Sequence, residues 1–420
     1  MNEEQRILTV SLQEIATMEQ QLDKNPPDVA TAYSNLSLIY QAIGQLPEAL
    51  SYQQKALAIQ EQILGNNHPN LATTYNNLSL IYQEMERLPE ALGYQQKTVS
   101  IFEKLLGDNH PDTATSYNNL SDIYHAMGRF PEALAYQQKA LAIQEQALDN
   151  NHPNLTTSYS NLSSIYQAMG QFPEALAYQQ KAIAIQEQIL GNNHPDVATS
   201  YSNLSSIYQA MGQFPEALSY QRKVLAIQEQ VLGKKHPALG TIYNNLSLIY
   251  QDMGQLPEAL SYQRKVLAIQ EQVLGKKHPA LGTIYNNLSL IYQDMGQLPV
   301  ALGYQQKTVS IFEKLLGDNH PDTATSYNNL SCIYRDMGQL SKALSYQQKA
   351  IAIIEQLLGK NHLNLAAAYG NIALIYYKMN NTTQAQAYIT HAITIMQNLF
   401  PDGHTELTAM LQLQEHINKM

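Results

Sequence analysis

The chain has 420 residues, only 14% of them charged, and a formal net charge of −10 with no basic stripe, a balance that argues against a nucleic-acid partner. A single cysteine, Cys332, excludes an intrachain disulfide and a cysteine-built metal cluster. No apolar run approaches the ~20 residues that span a bilayer, and Met1 to Asp23 has no signal-peptide core, so the expectation is a cytoplasmic protein with no membrane partner and no cofactor.

The predicted elements begin with half a unit. Residues 13–22, QEIATMEQQL, echo KALAIQEQIL at 55–64, so residues 1–26 are expected to form an N-terminal capping helix. From 27 to 404 the chain repeats with a period of 42 residues. His-Pro recurs at His68, His110, His152, His194, His236, His278 and His320, and His362 and His404 keep the phase after the proline is lost. Asn-Leu-Ser starts at Asn35, Asn77, Asn119, Asn161, Asn203, Asn245, Asn287 and Asn329, with Asn371 an altered ninth copy. Self-similarity of this length marks one supersecondary unit stacked on itself. Every Asn-Leu-Ser is formally a glycosylation sequon, but its place inside an amphipathic helix speaks against modification.

Within one unit, Pro69 opens the pattern Leu71, Tyr75, Leu78, Ile81, Tyr82, Met85, whose steps of three and four describe one face of a helix. Proline suits the first turn, where its missing N–H needs no partner. A break follows, typified by Met169-Gly170-Gln171, and Pro89-Glu90 starts a second helix that Gly107 ends. Two helices of about 17 residues, each ~25 Å long, fill the period. The second helix carries two apolar rows, Ala49, Ala56, Ile63 and Leu50, Leu57, Leu64, as a helix between two neighbours requires. Residues 405–420 echo a first helix with Leu413 in place of the asparagine and are expected to form a C-terminal cap. Ala217–Pro257 is identical to Ala259–Pro299, and 91–121 to 301–331, a mark of duplication within the array.

The order Leu78, Ser79, Tyr82, then Gly128 in the following copy, then Ala91 and Leu92 resembles a tetratricopeptide repeat lengthened by eight residues. The run His110-Pro111-Asp112 through Tyr117-Asn118-Asn119-Leu120 to Ala140-Leu141-Ala142-Ile143 is similar to the 42-residue repeats of kinesin light chains. The resemblance implies an all-α, right-handed superhelical solenoid of nine antiparallel helix pairs. It also implies that first helices line a concave groove, with Asn77, Leu80, Gln83 and Glu84 as the groove positions of one copy. The basic groove residues that let such proteins take acidic cargo or clamp a terminal carboxylate have no counterpart here, where the groove turns acidic from Asp252 onward.

The candidate site is therefore a peptide-binding groove built from the nine asparagines above with Gln83, Gln167, Gln209, Gln251 and Gln293. A carboxamide donates and accepts, so it can pair with a peptide backbone in either sense. A repeated asparagine can equally satisfy groups at helix contacts, and both readings stand at this point. The histidines are expected as caps, and the tyrosines, all but Tyr377 of 28 at three periodic sites, as core. The Lys97 and Glu103 ladders are expected as solvated faces, and Asp122 and His125, three apart on one helix, as a local pair. No phosphate loop, nucleophile elbow or zinc-ligand spacing appears, so the chain is expected to be no enzyme but a scaffold for a protein or peptide ligand. The alternatives are a structural spacer or self-associating module, or the repeat portion of a larger signalling protein.

Overall fold

In a computed structural model the described residues are 25–65, 67–149, 151–275, 278–399 and 405–419. Most of the expected N-terminal half-repeat, together with His404, lies outside them. All regular structure among them is helical. In chain order the helices are α1 (Pro26–Ala42), α2 (Leu46–Ile63), α3 (Pro69–Glu84), α4 (Leu88–Leu106), α5 (Pro111–Ala126), α6 (Phe130–Ala147), α7 (Pro153–Ala168), α8 (Phe172–Leu190) and α9 (Pro195–Ala210). They continue with α10 (Phe214–Leu232), α11 (Leu239–Asp252), α12 (Leu256–Leu274), α13 (Pro279–Asp294), α14 (Leu298–Leu315), α15 (Pro321–Asp336), α16 (Leu340–Leu358), α17 (Leu363–Lys378), α18 (Thr382–Leu399) and α19 (Thr405–Asn418).

The chain divides into two compact units, Met1–Gln213 and Phe214–Met420. In the first, α1/α2, α3/α4, α5/α6 and α7/α8 pack as pairs, each pair stacks on the next, and α9 covers α8. In the second, α10 packs on α11, the pairs α11/α12, α13/α14, α15/α16 and α17/α18 stack in order, and α19 closes on α18. There Met410 and Ile417 are buried with Ile389, Ile393 and Met396.

Most first helices start from the His-Pro dipeptide. His68 sits at the cap of α3 in extended backbone, and its Nδ1 accepts the Asn70 N–H at 3.2 Å. The same bond, from the amide two residues on, recurs at His110, His152, His194, His236, His278, His320 and His362. It satisfies one of the donors a helix leaves unpaired at its first turn. Within a pair, the turn needs a left-handed residue. Gly170 supplies it at φ 72°, whereas Glu86 and Asn380 adopt it at φ 58° without a glycine's freedom.

Helix pairs meet through small residues. Ala91 is fully buried, and Ser79 Oγ donates to its carbonyl at 2.9 Å. The tyrosines form a clasp: Tyr82 stacks on Tyr94 at 5.6 Å between centroids, and Tyr75 tilts against the same ring at 5.8 Å. The Lys97 and Glu103 ladders are not simply solvated, which corrects the expectation. Lys97 Nζ lies 5.0 Å over Tyr75 and 5.2 Å over Tyr94. Glu103 accepts the Tyr117 hydroxyl at 2.7 Å, tying α4 to α5. The equivalent Tyr75–Glu61 bond, 3.0 Å long, ties α2 to α3. Burial, and after it the Glu61 carboxylate, pushes the Tyr75 hydroxyl up to about 12.

Identical sequence does not guarantee identical packing. Residues 91–121 and 301–331 match throughout, yet Phe312 is 5% exposed while Phe102 is only half-buried. The difference lies 30 residues upstream, in Ala72 against Gly282. A Cβ on Gly282 would stand 2.3 Å from Phe312 Cε1, so only glycine admits the ring. Phe102, facing Ala72, instead lines a 370 Å³ cavity with Thr73, Asn76 and Ser116.

Candidate functional site

In each unit the first helices of consecutive repeats present the asparagines along one face. Asn35 and Asn203 are exposed; Asn77, Asn119, Asn161, Asn245, Asn287, Asn329 and Asn371 are half-buried. Gln83, Gln167, Gln209, Gln251 and Gln293 are half-buried on the same helices. Leucines stand exposed among them at Leu38, Leu80 and Leu248.

The asparagines bond sideways to the preceding repeat. Asn119 Nδ2 donates to Asn76 Oδ1 at 2.8 Å, Asn287 to Asn244 at 3.0 Å, Asn329 to Asn286 at 2.8 Å and Asn371 to Asn328 at 3.0 Å. In these four the acceptor is the first residue of an Asn-Asn dipeptide, a role the periodicity hides because Ser34, Ser160 and Ser202 occupy the place in other copies. Where that residue is serine, the following repeat's asparagine lacks this bond. For these four asparagines the helix-contact reading holds. Asn119, Asn287 and Asn371 each use one N–H laterally, and their Oδ1 atoms accept no hydrogen bond from a described residue.

Glutamines of this face bond the opposite way, to the following repeat. Gln41 Nε2 donates to Glu84 at 2.6 Å, Gln167 to Ser206 Oγ at 3.0 Å, Gln251 to Asp294 at 2.5 Å and Gln293 to Asp336 at 2.7 Å. Asp336 also accepts from Arg335 Nε at 3.0 Å. Asp122 and His125 do not pair with each other. Asp122 accepts from Asn161 Nδ2 at 3.1 Å, and His125 lies 3.4 Å from Ser164 Oγ, because the side chains of the next repeat reach them first. Although Asp122 is on the exposed face, desolvation by the surrounding helices pushes its carboxyl up to about 6.

A second set of carboxamides lies beneath this face and was not legible as a site. Gln95, Gln137, Gln305 and Gln347, on second helices, are fully buried. Gln95 Nε2 donates to the Ser116 carbonyl at 3.2 Å, and Gln137 to Asn118 Oδ1 at 2.6 Å. Gln305 and Gln347 reach both kinds of partner. Their signal is a glutamine held in phase inside an apolar row, which marks a buried hydrogen-bonded group better than a solvated one. Between α1 and α3 a cavity of 280 Å³ opens on the face, lined by Thr31, Ser34, Asn35, Leu38, Thr74 and Asn77 among others. Among the described residues no group of three His, Cys, Asp or Glu side chains could hold a metal. No described helix is long and apolar enough to cross a membrane. The face offers amide donors and acceptors, aliphatic patches and carboxylates: the means to bind.

Models of the tetratricopeptide repeat match residues 28–104, 72–146, 154–230, 196–272, 238–313, 280–356 and 333–398. The chain belongs to the tetratricopeptide repeat family. No curated protein matches this tetratricopeptide repeat protein. Among solved structures, a putative kinesin light chain with nearly identical TPR-like repeats from Podosopora anserina is 32% identical, covering 50% of this chain and 99% of its own, at a TM-score of 0.46. A signal transduction ATPase with a tetratricopeptide repeat sensor from Pyrococcus horikoshii is 18% identical over 94% of this chain and 55% of its own, at a TM-score of 0.57. Aspartyl phosphate phosphatase F from Bacillus subtilis is 16% identical over 88% of this chain and 94% of its own, at a TM-score of 0.53. The last two show likeness of fold alone.

Proposed function

We propose that this tetratricopeptide repeat protein is a non-catalytic scaffold that binds an extended peptide along the asparagine-bearing face of its first helices. The observation that carries the reading is the amide row itself. Asn119, Asn287 and Asn371 hold one N–H in a lateral bond, which fixes the carboxamide plane, and keep an acceptor oxygen for a ligand. Packed helices lie ~8–10 Å apart and an extended chain advances ~3.3 Å per residue, so successive asparagines meet about every third peptide residue. Backbone amides would supply affinity, and the Leu80-type positions would select side chains. The test begins with a peptide selected from a displayed library against the whole chain. Replacing Asn161, Asn203 and Asn245 with alanine should weaken that peptide at least about tenfold, or about 1.4 kcal/mol, with helicity unchanged by circular dichroism. Unchanged affinity removes the asparagine row from the function.

One observation favours a spacer or self-associating module. The last turns of second helices leave Ile63, Leu105 and Ile189 exposed in the first unit, and Val231, Val273, Leu315 and Leu357 in the second. Aliphatic surface in such a row favours burial by another molecule. Sedimentation of the wild type against a variant with Ile189, Val231 and Val273 changed to serine decides it: a shared monomeric mass rejects this reading.

A further inference from the structure

The cleft between α3 and α5 differs in kind from its neighbours. Most second helices carry a glutamine at one register position, as in Gln60, Gln144, Gln186, Gln228 and Gln270; Phe102 and Phe312 replace it. Where glutamine stands, a first-helix hydroxyl can bond it. Thr74 Oγ1 donates to Gln60 Oε1 at 2.6 Å, and Ser158 Oγ to Gln144 Oε1 at 2.6 Å. Ser116 finds no such acceptor on Phe102 and donates at 2.7 Å to the Thr113 carbonyl of its own helix. Thr73 and Thr115 likewise donate to the carbonyls of Pro69 and Pro111. With these hydroxyls engaged, the 370 Å³ cavity is left the Phe102 ring, Pro69 and the threonine methyls as its apolar lining. One polar group is spare: Asn76 Oδ1 is held by Asn119, but its Nδ2 donates to no described residue. Asp112 stands exposed at the rim. The identical segment 301–331 shows the ring's other position, since Phe312 is tucked against Gly282 whereas Ala72 holds Phe102 half-buried at the cavity.

We propose that the cavity between α3 and α5 is a recognition pocket for a phenylalanine-sized ring of a bound peptide with a cationic neighbour, held open by Ala72. An apolar cavity of this kind offers water few partners and takes an aromatic solute instead. The incoming ring packs on Phe102, a pairing favoured beyond the area it buries. Asn76 Nδ2 donates to a backbone carbonyl of the peptide beside the ring. The Asp112 carboxylate at the rim favours a lysine or arginine as the next residue and disfavours an acid. The pocket belongs to the second repeat because Ala72 keeps its ring out, while Gly282 lets Phe312 withdraw. It rests on the peptide-scaffold reading and gives it one point of sequence selection.

The test uses the full chain with 4-fluorophenylalanine at its six phenylalanines, read by ¹⁹F NMR, and acetyl-Phe-Lys-amide as the probe. Phe102→Gln, which restores the glutamine of most repeats, assigns the Phe102 signal. The probe should shift that signal saturably and leave the Phe312 signal in place. Acetyl-Ala-Lys-amide, which lacks the ring, should bind at least about tenfold more weakly. Acetyl-Phe-Glu-amide should also bind more weakly than the lysine probe, and Asp112→Asn should close that gap. Gly282→Ala should create a second pocket, so that the Phe312 signal responds as well. Ala72→Gly should let Phe102 withdraw and abolish its response. The Asn161→Ala, Asn203→Ala, Asn245→Ala variant should keep the probe response, which separates failure of the pocket from failure of the asparagine row. A Phe102 signal that ignores the probe, a ringless probe that binds equally, or a wild-type Phe312 that responds like Phe102 overturns the proposal.

Discussion

Gly282→Ala isolates a single contact. The added methyl would lie 2.3, 2.8 and 2.9 Å from three ring atoms of Phe312, and a rigid ring cannot yield by tenths of an ångström. The ring must swing out to the half-buried position that Phe102 holds beside Ala72. Losing a good part of a phenylalanine's burial costs about 1.5–2 kcal/mol, and the relief of a mid-helix glycine returns about 0.5–1 kcal/mol. The net expectation is a destabilisation of about 1 kcal/mol. Gly240→Ala is the control: it occupies the same place one repeat earlier, in identical local sequence, but its Cβ meets only the flexible end of Gln270 at 3.0 Å. That variant should be neutral or stabilising by up to about 1 kcal/mol. In a Phe312→Leu background Gly282→Ala should also turn stabilising, since the ring that opposed it is gone. Amide hydrogen exchange in α13 and α14 is the fitting assay, because a repeat array need not unfold in one step. Equal effects of the two glycine substitutions, or no change of sign with Phe312→Leu, would refute the account.

Three further outcomes follow from the geometry. His194→Ala removes the acceptor for the Asp196 amide and should cost about 1 kcal/mol, while His194→Asn, another capping residue, should recover most of it; exchange at the first turn of α9 reports both. Glu86→Gly relieves the left-handed strain at φ 58° and should stabilise the second repeat by about 1 kcal/mol, read from the exchange of α3 and α4. Asp122 has a folded-state pKa of about 6, above its ordinary 3.8, so its ionisation works against folding as pH rises through that range. Asp122→Asn should therefore be more stable than wild type at pH 7, by no more than about 1 kcal/mol after solvent screening, with the gain vanishing below pH ~4. A gain that persists undiminished in acid assigns the effect to something other than the carboxylate.

The fold was legible because period and packing coincide. Proline, glycine and the three-and-four spacing locate both helices of each repeat, and the tyrosines predicted as core form the clasp between them. The site was legible only to the level of a face. Asn119 and Asn287 look alike in sequence whether they bond a neighbour or a ligand, since the deciding partner, Asn76 or Asn244, lies 43 residues away on another helix. Glu103 and Lys97 looked solvated because charge on a helix usually is, and nothing local reveals that a tyrosine of the next repeat reaches the one or that two rings lie beneath the other. Gln53 is the sharpest case. Both its amide atoms are buried without a partner, which shows only beside Gln305, whose amide reaches Asn286 and the Ser326 carbonyl.

The glycine–phenylalanine couple also bears on how such an array changes over generations. Its members stand 30 residues apart within a period of 42. Recombination between near-identical copies exchanges stretches whose ends fall anywhere in that period. A breakpoint between positions 282 and 312 would join an Ala72-like start to the Phe312 end, or Gly282 to a smaller residue. The first product reproduces the Ala72–Phe102 pairing, where Phe102 lines a 370 Å³ cavity, while every exchanged segment remains a sequence the protein already contains. The array can thus create pockets by reshuffling alone, with no new amino acid at any position.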